Sequence, residues 1–294
     1  MSDPITITIN GYSLATVRFS ANRGTIKRPA TAFLLRRDNH YFLVTALHVL
    51  TGRQWQTKAL SDNGLIPDTF TPHIPFYKHI GPREHELFWI RHELTLMTDK
   101  EGIDETVAPW WVHPRFREDI DVGIVPLSDF PQKIHNQLIS LGRAESNSEI
   151  YSFNWNLKPK LTTAVGDDVF VVGFPENIRV TGEMPVWKRG SVATEPDIPI
   201  NELPYLLVDT GTRSGMSGAP VLRRAPPGIA PFEDATNFVL LNQPHVELFG
   251  IYSGRYGADD LTSQLGIVWK RDVISDILAT PTLGKSSLCT RLWG

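Results

Sequence analysis

Thr212-Arg213-Ser214-Gly215-Met216-Ser217-Gly218-Ala219-Pro220-Val221-Leu222 is the stretch on which the reading of this chain turns. Gly215 and Gly218 bracket Ser217, and glycine admits backbone angles that other residues avoid. A turn built this way directs the N–H groups of Gly215 and Ser217 into one small hollow, with the Ser217 hydroxyl at its rim. Converging N–H donors stabilise an oxyanion, and a hydroxyl beside them is placed as a nucleophile. Pro220-Val221-Leu222 then opens a buried strand. Taken alone, the same residues also describe a glycine- and serine-rich surface turn ahead of a strand. A base and an orienting acid must therefore be sought elsewhere.

Working back toward the N-terminus, the base is found first. Ala30 to Leu35 and Tyr41 to Thr45 read as two apolar strands joined by the charged turn Arg36-Arg37-Asp38-Asn39. Alternation stops at Ala46-Leu47-His48-Val49-Leu50, where a helical turn is expected. His48 at that junction is either a general base or a structural imidazole bonded to backbone. The acid lies in His113-Pro114-Arg115-Phe116-Arg117-Glu118-Asp119-Ile120-Asp121, ahead of the apolar run Val122 to Leu127. Asp119 and Asp121 are both candidates, and a plain turn or strand-capping role is open to each. Asp121 is the one followed directly by the aliphatic strand.

Gly-x-Ser-Gly-x-Pro-Val, Thr-Ala-x-His-Val and Asp-aliphatic-Gly-aliphatic-aliphatic together resemble the chymotrypsin-like, trypsin-type serine peptidases, of the compact bacterial cytosolic kind. The likeness extends over about residues 5 to 280; the region 52 to 110 matches nothing in it. It implies an all-β fold of two six-stranded antiparallel β-barrels with a C-terminal helix. The first barrel would occupy 1–140, with a long insertion at about 52–110 and the inter-barrel connection; the second would occupy 141–294 with the helix and tail. It also implies a catalytic triad of His48, Asp121 and Ser217, with an oxyanion hole from the Gly215 and Ser217 amides. The chain order His, Asp, Ser fits that family and not the α/β-hydrolases, which run Ser, Asp, His. Ala219 moreover replaces the second glycine of the G-x-S-x-G elbow.

The remaining segments fit around this frame. Ile5–Ile9 and Ala15–Phe19 are expected to form a hairpin turning at Asn10-Gly11. Gly52 to Pro82 reads as a long loop with short strands, Glu86 to Thr98 as a strand pair and Val107 to Val112 as a strand. Pro131 to Leu141 has helical spacing, Asn147 to Lys160 reads as a linker, and Ala225 to Pro244 as a hairpin excursion. Asp168 to Pro175, Trp187 to Ala193, Leu206 to Asp209, Leu248 to Gly254 and Leu265 to Trp269 are expected strands of the second barrel. Arg271 to Leu278 places Val273, Ile274, Ile277 and Leu278 on one helical face, and 284–294 reads as a loose tail.

Composition narrows the class. With 41% hydrophobic and 21% charged residues the chain is of ordinary globular make-up, and its net charge of −3 speaks against nucleic acid or an anionic membrane as partner. The single cysteine, Cys289, excludes an internal disulfide and suits a reducing compartment. Met1-Ser2-Asp3-Pro4 lacks a basic leader and no apolar core comes after it, so a cytoplasmic location is expected. His73, His79, His85 and His92 lack metal-ligand spacing; no metal and no cofactor are expected.

The partner is then a protein or peptide substrate. The resemblance allows a dedicated one, such as a toxin or defence effector, and an activator. A peptide-binding pseudoprotease using strand Gly250 to Gly254 for β-augmentation is the non-enzymatic alternative. Digestive relatives pair a freed N-terminus with an aspartate just before the serine; Met216 stands there, so no N-terminal processing is expected. Gly211, Thr212, Tyr252, Ser253, Gly254 and Arg255 are the expected substrate-binding residues. Trypsin carries an acid at the position of Gly211, which leads to a neutral or weakly polar side chain before the scissile bond, an acidic one ranking second and a basic one third.

Overall fold

In a computed structural model of the chain, the described residues are 9–60, 66–79, 81, 85–95, 107–128, 130–141, 148–155, 160–175, 178, 183–211, 214–233, 238–257 and 264–285. The chain begins with a short helix, α1 (Gly11–Ala15), and Asn10 is its N-cap: the side chain accepts the Tyr12 N–H at 2.9 Å. Asn10-Gly11 therefore starts a helix and is not the hairpin turn expected of it.

Strands β1 (Thr16–Arg23), β2 (Ile26–Arg37) and β3 (His40–Thr45) come next as antiparallel neighbours. The one-turn helix α2 (Leu47–Thr51) ends at Gly52 in the left-handed region. Then come β4 (Thr69–His79), β5 (His85–Arg91), β6 (Leu94–Thr95), β7 (Val107–Val112) and β8 (Gly123–Pro126). Helix α3 (Phe130–Ser140) buries Phe130, Ile134 and Leu138 against this half, while Leu141 is exposed.

These strands belong to one eleven-stranded sheet that also takes in β9 (Ser148–Ile150) and β10 (Phe153–Asn154). Its main path runs β19-β7-β8-β3-β2-β1-β4-β5, where β19 is Thr282–Lys285 near the C-terminus. Among the described residues that path is open, so the six-stranded first barrel expected from the sequence is here a larger sheet. The expected linker at 147–160 contributes two of its strands, and part of the expected tail contributes a third.

The second half holds one closed six-stranded barrel: β11 (Asp168–Gly173), β12 (Val186–Val192), β13 (Tyr205–Asp209), β14 (Pro220–Ala225), β17 (His245–Arg255) and β18 (Leu265–Lys270). A two-stranded hairpin, β15 (Gly228–Ala230) and β16 (Val239–Leu241), projects from it. Helix α4 (Asp272–Ala279) buries Val273, Ile274, Ile277 and Leu278. The barrel interior is lined by Val169, Val171, Val192, Leu206, Val208, Met216, Val221 and Val268.

A separate cluster joins the two halves. Phe33, Leu35, Val44 and Ile124 of the sheet pack with Tyr205, Leu207 and Trp269 of the barrel and with α4. Each such fully buried side chain contributes about 1.5–3 kcal/mol relative to exposure, so the seam is a core in its own right. Among the described residues no helix is long and apolar enough to cross a membrane.

Candidate active site

The seam brings His48 and Asp121 together. Residues 120–122 are fully buried, with Ile120 and Val122 flanking the aspartate. The Asp121 carboxylate accepts the His48 backbone N–H on Oδ1 at 2.7 Å and faces the His48 ring with Oδ2, 2.6 Å from Nδ1. A carboxylate offers only acceptors here, so Nδ1 carries the proton and Nε2 is left with its lone pair. Burial alone would pull the imidazole down; the charge of Asp121 and its hydrogen bond act upward and prevail. His48 thus titrates above its ordinary value of 6.5.

Oδ2 receives a further hydrogen bond, from the Ser253 hydroxyl. The ladder between β17 and β18 pairs Tyr252 with Val268 and Gly254 with Ile267, leaving Ser253 as a bulged residue. A bulge re-aims one side chain out of the alternation, and here it turns Ser253 onto Asp121. Ser253, expected as a substrate-binding residue, thus turns its side chain onto the acid.

Asp119 lies elsewhere. It is 69% exposed and pairs with Lys58 Nζ at 3.2 Å, while that ammonium also donates to the Glu118 carbonyl at 2.5 Å. The loop ahead of the two aspartates is shaped by His113, whose Nδ1 accepts the N–H groups of Arg115 and Phe116, both at 3.2 Å.

Ser217 sits on a tight turn, in which the Ala219 N–H donates to the Met216 carbonyl at 2.9 Å. Gly218, third residue of that turn, has φ +85°, and Gly215 has φ +92°; a positive φ at the third position is the type II geometry that glycine supplies. The turn is stapled to the other half of the protein through Thr31. Its hydroxyl donates to the Gly215 carbonyl at 2.7 Å and accepts the Phe174 N–H at 3.1 Å. Its own N–H donates to the Ser217 carbonyl at 3.0 Å, and its carbonyl accepts the Thr45 hydroxyl at 2.8 Å. Met216 is wholly buried in the barrel core.

A Cβ at Gly218 would run into the Thr31 carbonyl and the Thr45 hydroxyl. Gly218→Ala is therefore expected to cost at least about 2 kcal/mol. A denaturant midpoint shifted by less than a tenth of its value would contradict this.

His48, Ser214, Gly215 and Ser217 line one pocket of about 160 Å³, together with Ala21, Arg28 and Pro67. A larger hollow, about 330 Å³, is walled by Tyr12, Tyr151, Phe153, Trp155 and Glu247 and contains none of these groups. Gly211 is exposed, and its carbonyl accepts from Lys188 Nζ. Tyr252 is buried; its N–H donates to the Ala219 carbonyl at 2.9 Å and its carbonyl accepts the Gly218 N–H at 2.8 Å. Gly254 and Arg255 continue the same strand, opposite Ile267 and Gly266. Thr212, Arg213 and Cys289 lie outside the described residues.

Sequence reasoning misses Thr31 and Thr45, though a threonine within the apolar runs Ala30–Leu35 and Tyr41–Thr45 is a signal. A wholly buried hydroxyl in a strand needs a partner. His73 is bonded to Glu183 at 2.6 Å, and among the described residues no three His, Cys, Asp or Glu side chains gather as a metal site requires.

Asp121 thus holds the imidazole that shares a pocket with Ser217. Residues 30–225, two thirds of the chain, match the family described as trypsin-like peptidase domain, and the chain belongs to that family. The matched span contains His48, Asp121 and Ser217. Solved structures similar to it include the active form of the Rv3671c protease from M. tuberculosis, at 12% identity and TM-score 0.43, covering 93% of this chain and 84% of that one. The serine endoprotease from Yersinia pestis is similar at 11% identity and TM-score 0.46, covering 94% and 67%. Deg5 is similar at 12% identity and TM-score 0.46, covering 92% and 91%. A search of curated proteins finds no match.

Proposed function

We propose that this endopeptidase cleaves peptide bonds through an acyl-enzyme on Ser217, with His48 and Asp121 completing a triad and the N–H groups of Gly215 and Ser217 receiving the oxyanion. The observation that carries the reading is the position of His48. Its Nδ1 side is held by buried Asp121, and the same residue lines one pocket with Ser217. The Ser217 Oγ bonds to the scissile carbonyl carbon as its proton passes to His48 Nε2. The carbon–nitrogen bond then breaks, and the proton goes to the leaving amine. Water enters by the same route: its proton passes to His48, its oxygen attacks the ester, and Ser217 leaves with the proton restored. Asp121 keeps the imidazole in the required tautomer and offsets its positive charge, itself unprotonated.

In this reading the eleven-stranded sheet is the counterpart of the family's first barrel, enlarged by β4–β6; residues 1–140 supply most of it and 141–294 supply the second unit together with strands β9, β10 and β19 of the sheet. The substrate is a protein, and from the family resemblance a dedicated one, such as a toxin or a defence effector.

A fluorophosphonate probe tests the mechanism. The adduct is expected on the peptide that carries Ser217, located by mass spectrometry. Protonated His48 cannot accept the serine proton, so the labelling rate should climb with rising pH through one ionisation. Because His48 titrates above its ordinary value, the midpoint should fall above 6.5. Label on another residue, or none, would overturn the mechanism; binding of peptides without label would mark a protein that holds peptides and does not cut them.

A further inference from the structure

We infer that Lys188 makes this peptidase selective for a glutamate or aspartate immediately before the scissile bond; the inference rests on the serine-peptidase reading above. The space beside Ser217 is bounded by three pieces of the barrel's mouth. Thr210 and Gly211 follow the end of β13, and the serine turn reaches β17, where the Gly218 N–H donates to the Tyr252 carbonyl at 2.8 Å. The Thr210 N–H donates to the Gln264 carbonyl at 2.9 Å, and Arg255 pairs with Gly266. In the serine-peptidase reading, the substrate side chain next to a carbonyl held at Ser217 is received at this mouth, beside Gly211.

Lys188 reaches the same place from β12. It pairs with Val171, whose side chain belongs to the barrel interior. Side chains two apart on a strand share a face, so Lys188 lies on the inner face with Gly190 and Val192. Its Nζ donates to the Gly211 carbonyl, and a Cβ built on Gly211 would stand 3.9 Å from it. Gln264 Oε1 stands equally near that point, and no side chain at Gly211 comes between the ammonium and whatever enters.

That ammonium is short of partners. Its neighbour Arg189, on the outer face, is held in two hydrogen bonds by Asp168, at 2.9 and 2.7 Å. Lys188, among the described residues, has no carboxylate partner. An ammonium has three donors, and the Gly211 carbonyl takes one. Lys188 is half-buried and its contact with Gly211 is exposed, so a substrate carboxylate can reach the ammonium and supply a further acceptor with a charge-assisted bond.

Two described acids that could instead draw in lysine or arginine lie elsewhere. Asp197 lines a different hollow with Lys160 and Glu233, and Glu195 is exposed to solvent. Gly211 alone ranks a neutral side chain first; Lys188 places the acidic one ahead of it.

The test compares four fluorogenic peptides that differ only in the residue before the scissile bond: Glu, Gln, Leu or Lys. Rates are expressed per fluorophosphonate-titrated site, so protein that has not folded is not counted. The native enzyme is expected to favour Glu over Gln by about 10- to 100-fold in kcat/KM, mostly through KM. Lys188→Met should lose that ratio, Lys188→Arg should retain most of it, and Lys188→Glu should turn the preference toward Lys. Equal rates for Glu and Gln in the native enzyme would overturn the inference, as would a Glu preference that survives in Lys188→Met. A native protein that labels and cleaves without favouring Glu leaves the peptidase mechanism standing; one that does not label at all brings down both.

Discussion

Replacing Ser217 by alanine should lower peptide turnover by about a millionfold and abolish fluorophosphonate labelling, while the melting temperature stays within a few degrees of that of the native protein. The fold should tolerate the change because the turn is held by backbone. The Ser217 carbonyl accepts from Thr31, the Gly218 N–H donates to Tyr252 and the Ala219 N–H donates to Met216. Removing one oxygen at the rim of a pocket opens no core cavity. Turnover retained within tenfold of the native value would show that another group attacks the carbonyl. A large fall in melting temperature would show that the hydroxyl is structural.

The second large effect separates the two aspartates. Asp121→Asn should cut kcat by about 10,000-fold. An asparagine can still accept the His48 backbone N–H, so the geometry should persist. Its amide NH2, set toward Nδ1, would demand an acceptor there and move the proton to Nε2, the atom that must take the proton of Ser217. Asp119→Asn should change kcat by less than about twofold, since an exposed ion pair such as Asp119–Lys58 is worth ~1 kcal/mol at most. A kinetic comparison of the two variants decides the matter. The reverse pattern, with Asp119→Asn damaging and Asp121→Asn silent, would assign the acid to the wrong carboxylate.

Much of the site is legible in the sequence because its signals are local. Two glycines around a serine, a histidine where strand alternation stops and an aspartate at the mouth of an aliphatic run each occupy a few consecutive residues. The parts that stay hidden depend on partners far along the chain. Strand β4 reads as loop because Pro72 and Pro75 lie within it, and proline cannot donate to a ladder. Both of its flanks are nonetheless paired with neighbouring strands. Residues 72–76 are all buried, so its burial shows no period of two. Asn10-Gly11 carries the residues of a tight turn, but asparagine also caps helices, and only Tyr12 and the residues after it decide between the two. Strands β9, β10 and β19 are two to four residues long and exist by pairing with β4, β2 and β7. The bulge that turns Ser253 onto Asp121 leaves no mark in composition at all.

Met216, buried beneath the serine turn, has a consequence in how the competent turn answers to its surroundings. A turn anchored by an ion pair is tuned by protons and salt, because both act on charge. This one is anchored by a thioether in a barrel of valines and by uncharged hydrogen bonds to Thr31, so neither protons nor the screening of charge has a handle on it. Apolar burial has a different weakness: its driving force fades on cooling. The hold on this turn, as distinct from the ionisation of His48, therefore follows temperature, and chilling is what loosens it.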